Sequence, residues 1–167
     1  MTSQVESALK ALKAGRSLEK QGLTFYRDAA QKTKSTKGRE VFESLQRDEA
    51  MHLRLIQRQI DALSEQGKWV ELPEASGASV DLSTEVFPKG REGLEKAVKG
   101  DTDDAEALIL AMEFETKSYD MYRQDAKAAE VPEARAMYEF LASQERTHFD
   151  LLMANWEAMV QRGGWAE

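Results

Sequence analysis

The chain has 167 residues, a formal net charge of −7 and an isoelectric point near 5.1. That length suits one domain with its own core, and the acidity argues against a nucleic-acid partner or an anionic membrane surface. Cysteine is absent, which removes disulfides, iron–sulfur clusters, thiolate zinc sites and thiol nucleophiles. The polar start MTSQVESALK and the lack of any long apolar run lead us to expect a cytoplasmic protein.

In chain order, Ser3 with Glu6 three residues on reads as a capping box. Val5, Leu12, Glu19 and Tyr26 then recur at heptad spacing, the stripe of a helix over about 3–33. A polar joint, Lys34 to Lys37, is short enough to make the next helix an antiparallel neighbour. That helix, about 36–66, carries Phe42, Leu45, Glu49, His52, Ile56 and Leu63 on one face. Residues from about 67 to 101 hold Pro73, Pro88 and five glycines. They read as a long crossover with one short helix near Arg91–Lys99. Asp101 or Thr102 caps a third helix, about 102–130, striped by Leu108, Met112, Glu115, Tyr122 and Ala126. Val131-Pro132 breaks it, and Pro132 suits the first turn of a fourth helix, about 132–162. That helix shows Tyr138, Leu141, Glu145, His148, Leu152 and Met159 and stops at Gly163-Gly164. Hairpin, long crossover, hairpin is the order of an all-α, ferritin-like four-helix bundle.

A shift of 96 residues aligns the two hairpins without a gap, with 12 identities in the 45 columns from 11 to 55. Glu19 meets Glu115, Tyr26 meets Tyr122, Glu49 meets Glu145 and His52 meets His148. The chain's 2 histidines both fall in the alignment, each with a Glu three residues before it and another 33 before it. One Glu-x-x-His is weak evidence. Two, with matching upstream Glu and Tyr, form a specific signal.

The spacing permits metal chemistry. Residues i and i+3 on a helix point the same way, so Glu49 and His52 reach one ion, as do Glu145 and His148. Glu19 and Glu115 share stripes with apolar residues, which opposes a surface placement. Four inward carboxylates repel unless compensated, and two divalent cations balance their charge. Without metal, all four are expected to have raised pKa values. Carboxylates with one imidazole per ion suit iron or manganese, with zinc also accepted. Tyr26 and Tyr122, two turns beyond a candidate ligand, read as partners that orient a ligand carboxylate or quench radicals, against plain core tyrosines. Arg39/Glu43 and Arg135/Glu139 read as exposed (i, i+4) ion pairs. Trp69, Trp156 and Trp165 read as core or interface packing.

The stretches LEKQGLTFY (18–26) with DEAMH (48–52), and MEFETKSYDMY (112–122) with SQERTH (143–148), resemble the rubrerythrin-like branch of the ferritin-like superfamily. The resemblance spans nearly the whole chain, and the VFPKG segment of the crossover is similar too. It implies a non-haem di-iron centre liganded by Glu19, Glu49, His52, Glu115, Glu145 and His148, with Glu49 and Glu145 bridging. It also implies reduction of peroxide or oxidation of ferrous iron. Two features depart from rubrerythrin proper: these 167 residues hold no cysteine for its electron-transfer module, and Ser118 stands where that protein carries a further carboxylate. Any electron donor is then expected to be a separate protein. Ferritin proper lacks the second histidine, which makes a storage shell the weaker analogy.

The leading expectation is therefore a di-iron oxidoreductase acting on peroxide or dioxygen. The alternatives are an iron-sequestering or sensing protein without turnover, and a structural bundle that keeps a metal for stability. A homodimer is expected from the bundle size and crossover, with Trp and Met residues lining its face.

Overall fold

The computed structural model describes residues 1–76 and 102–167. The proposed short helix at 91–99, the VFPKG segment and Asp101 lie outside them. Among the described residues four long helices account for nearly all of the secondary structure: α1 (Ser3–Lys32), α2 (Thr36–Gln66), α3 (Thr102–Ala128) and α4 (Pro132–Arg162). A 3₁₀ turn at Pro73–Ala75 follows α2. α1 pairs with α2 and α3 with α4, and contacts between α1 and α3 join the hairpins. This is the all-α four-helix bundle expected from the stripes. None of these helices is long and apolar enough to cross a membrane.

The helix ends follow from capping chemistry, with one shift from expectation. The N-cap of α1 is Thr2, not Ser3. Thr2 has an extended backbone, and its hydroxyl accepts from the Val5 amide at 3.2 Å. Two adjacent hydroxyl residues present the same signal, and the structure selects the earlier one. Ser35 caps α2 by accepting from the Gly38 amide at 3.0 Å. Val131 precedes α4 with Pro132 in the first turn. Gly67 and Gly163 close α2 and α4 in the left-handed region, at φ 69° and 74°. Both closures fit the preference for glycine just past a helix end. Ser35 and Val131 are 96 residues apart, and so are Gly67 and Gly163, so the sequence offset reappears in the caps.

The stripes are buried as their periods require. Leu12, Leu45, Ile56, Leu108, Met112, Leu141 and Leu152 pack one core with Tyr26 and Tyr122. The tryptophans serve that same core. Trp156 is buried, while Trp69 and Trp165 are half-buried against it. Trp165 folds back along the bundle, donating to Asp104 at 2.9 Å and meeting the Phe42 ring edge-on at 5.4 Å. Gly38 makes room for it, since a Cβ there would lie 2.6 Å from the indole.

The expected surface ion pairs do not form. No bridge joins Arg39 to Glu43 or Arg135 to Glu139 among the described residues. Arg135 instead donates to the Ala129 carbonyl at 2.8 Å, satisfying a backbone acceptor just past α3.

Candidate metal centre

Each long helix brings carboxylate to one level of the core. α1 supplies Glu19, α2 Glu49 and His52, α3 Glu115, and α4 Glu145 and His148. None of the six is more than 3 % exposed. The heptad phase that placed Glu19 beside Leu12 and Tyr26 is the reason the carboxylate points inward. At Gly22, one turn beyond Glu19, a Cβ would stand 2.7 Å from the Phe114 ring and 3.3 Å from the Glu49 carboxyl carbon. Glycine there lets α1 approach α3 beside the cluster.

The six side chains form two overlapping groups. Glu19, Glu49, His52 and Glu145 offer ligand atoms all within 4.8 Å of one another, and so do Glu49, Glu115, Glu145 and His148. Glu49 and Glu145 belong to both. The two sets interchange under the 96-residue offset. The imidazoles point alike, with Nδ1 toward the carboxylates. His52 Nδ1 lies 3.3 Å from Glu19 and 3.2 Å from Glu145. His148 Nδ1 lies 3.4 Å from Glu49 and 3.4 Å from Glu115. The rings stack at 5.6 Å.

Among the described residues, several of these buried atoms lack a hydrogen-bond partner: both oxygens of Glu49, both of Glu145, Glu115 Oε2 and His148 Nδ1. Unsatisfied buried polar groups cost about 1–3 kcal/mol each, more when charged. So many in one place, from hard-oxygen and imidazole donors, fit a pair of divalent metal ions and little else.

Electrostatics in the metal-free cluster do not follow the uniform rise expected. Burial, reinforced by the charge of Glu145, pushes Glu49 and Glu115 well above the usual carboxylate range. Glu145 goes the other way. Burial opposes its ionisation, but the Glu115 carboxyl and the His148 and His52 imidazoles packed around it hold it well below the usual value. Carboxylates sharing a site cannot all ionise freely, so Glu145 becomes the anion while Glu49 and Glu115 keep protons. His52 is penalised by burial, yet Glu19 and Glu145 raise it to about 10.

The tyrosines donate to carboxylates of the cluster, and they do so across the bundle. Tyr26 on α1 donates to Glu115 on α3, and Tyr122 on α3 donates to Glu19 on α1. Burial and the neighbouring carboxylates raise both phenols well above their ordinary value, which keeps them as donors. These crossed bonds tie the two hairpins together at the level of the cluster.

Asp48 is a functional candidate that motif reading passed over. Its carboxylate meets His148 Nε2 at 3.0 Å, from the opposite hairpin. That bond holds the Asp48 carboxyl below its ordinary value. It also fixes the ring so that Nδ1 faces inward. The only sequence signal was an acidic residue one position before Glu49. Its counterpart at the offset is Gln144, and among the described residues His52 Nε2 has no partner. The two halves are thus unequal. Asp48→Ala should lower affinity at one metal position by about 10–100-fold and leave the other near wild type. Anaerobic calorimetric titration checks this, and two equally weakened positions would contradict it.

A buried carboxylate–histidine cluster inside an all-α bundle of two hairpins defines the ferritin-like class of metal-binding proteins. Within that class, the sequence model of the Rubrerythrin family matches residues 10–156, and the chain belongs to this family. No curated protein and no solved structure matches it.

Proposed function

We propose that this chain is a non-haem di-iron protein that works as an oxidoreductase, reducing peroxide or oxidising ferrous iron. The carrying observation is the pair of overlapping Glu/Glu/Glu/His groups, of which Glu49 and Glu145 are members in common. Glu19 and His52 would hold one ion, Glu115 and His148 the other, and Glu49 and Glu145 would serve both. Iron held there supplies one-electron redox chemistry at neutral pH. The chain's own residues set the conditions for it. Burial excludes bulk water, and Tyr26 and Tyr122 keep Glu115 and Glu19 aimed inward. Six side chains cannot saturate two ions unless carboxylates bridge or chelate, which leaves room for a small oxidant. Ser118, buried on α3, offers a neutral hydroxyl where rubrerythrin proper has a further carboxylate. Among the described residues, the two groups draw on these six residues.

The test is to load ferrous ion under nitrogen and add hydrogen peroxide or dioxygen. A ferric absorption that rises faster with peroxide supports peroxide reduction. A faster rise with dioxygen supports ferrous oxidation. Protein that binds iron and stays unchanged with both oxidants overturns the oxidoreductase reading.

A further inference from the structure

Two aromatic chains lead from the cluster toward the surface, and they differ in one atom that matters for redox chemistry. The first begins at Tyr122, which donates to Glu19. Its ring stacks on Tyr138 at 6.3 Å, and Tyr138 meets Trp69 edge-on at 6.1 Å. The second begins at Tyr26, which donates to Glu115. Its ring stacks on Phe42 at 6.3 Å, and Phe42 meets Trp165 edge-on at 5.4 Å. Every member of one chain lies 96 residues from its counterpart: Tyr26 and Tyr122, Phe42 and Tyr138, Trp69 and Trp165. Both tryptophans are half-buried, so each chain ends at the protein surface.

Phe42 shows what packing alone asks of this position. At the counterpart, Tyr138 carries a buried hydroxyl with no hydrogen-bond partner among the described residues. Such a group is unfavourable in a core, and a phenylalanine would avoid it. The hydroxyl therefore calls for a reason beyond packing. Phenol and indole rings lose an electron far more readily than a benzene ring. Tyr122–Tyr138–Trp69 is an unbroken series of oxidisable rings in contact, whereas Phe42 interrupts the other series.

We infer that Tyr122, Tyr138 and Trp69 form a one-electron route between the metal cluster and a surface point at Trp69. The route rests on the oxidoreductase reading above. Loss of an electron from Tyr122 is accompanied by transfer of its phenolic proton to the hydrogen-bonded Glu19 carboxylate. Trp69 then reduces Tyr122 across the Tyr138 ring that lies between them. Tyr122 recovers its proton from Glu19, the Tyr138 hydroxyl keeps its own, and a one-electron donor docking at Trp69 refills the indole. Each passage moves one electron inward and leaves every ring as it began. Two passages supply the two electrons that reduce one peroxide, with two protons, to two waters.

The route can be tested without iron. All 4 tyrosines are buried, the most open of them at 4 % exposure. A water-soluble photogenerated oxidant, ruthenium(III) tris-bipyridine, therefore reaches tyrosine only by way of a conducting path. In the full chain, with and without bound zinc, flash oxidation should yield a tyrosyl radical by electron paramagnetic resonance. Trp69→Phe should reduce that yield severalfold. Tyr138→Phe should do the same and leave a tryptophanyl signal behind, while its melting temperature holds or rises. Phe42→Tyr should increase the yield by completing the second chain. An unchanged tyrosyl yield in both Trp69→Phe and Tyr138→Phe overturns the route. A lost yield accompanied by a lower melting temperature in Tyr138→Phe marks the residue as structural and overturns it as well. A working route in a chain that ignores peroxide and dioxygen would refute the proposed activity alone.

Discussion

Ferrous ion titrated into chelator-stripped protein under nitrogen should bind at two ions per chain, and Glu145→Ala should abolish that stoichiometry. Glu145 offers ligand atoms to both groups, as does Glu49, whereas Glu19 and Glu115 each serve one. The four alanine variants should therefore fall into two classes. Glu19→Ala and Glu115→Ala each weaken one position and leave one tight ion. Glu49→Ala and Glu145→Ala weaken both by at least about 100-fold, or about 2.8 kcal/mol per ion. Removing a buried carboxylate also relieves repulsion in the stripped protein, so these variants should still fold. Far-ultraviolet circular dichroism separates loss of metal from loss of structure. A folded Glu145→Ala protein that still carries two ions per chain would show that the ligand assignment is wrong.

What the sequence disclosed depends on whether a feature is carried by one helix or by the meeting of two. The inward direction of Glu19 was readable because Leu12 and Tyr26 share its stripe, and burial follows from period alone. The helix stops at Gly67 and Gly163 were readable because a left-handed closure favours glycine. The pairing of Tyr26 with Glu115, and not with its own helix neighbour Glu19, was not readable. It depends on how closely α1 approaches α3, which Gly22 and Phe114 decide. Asp48 was hidden for the same reason, since its partner His148 is 100 residues away on another hairpin. The uniform rise expected for four buried carboxylates failed at Glu145. Burial of each residue taken alone predicts a rise, whereas the groups that hold Glu145 low come from α2, α3 and α4. Arg135 was read within its own helix as well, and its actual acceptor is the end of the preceding one.

Metal should reverse the effect of pH on the stability of this bundle. In the stripped protein, folding raises the proton affinity of His52, His148, Glu49 and Glu115. A group whose pKa is higher folded than unfolded stabilises fully below its unfolded value and loses that contribution as pH climbs through the folded one. For His52 the window runs from 6.5 to about 10. Glu145, held low, acts in the opposite sense, but its contribution is lost only as pH falls below the ordinary carboxylate value of 4.5. The melting temperature of stripped protein should therefore decline from pH 6.5 toward 10. Metal ligation needs the same groups deprotonated, so binding releases protons and tightens as pH rises. An ion held at 1,000 times its dissociation constant adds about 4 kcal/mol per site. The gap in melting temperature between loaded and stripped protein should then widen across this window. Differential scanning calorimetry of both forms over a pH series measures it. A stripped protein that gains stability with pH, or a gap that narrows, would mean that the buried carboxylates and imidazoles do not hold protons in place of metal.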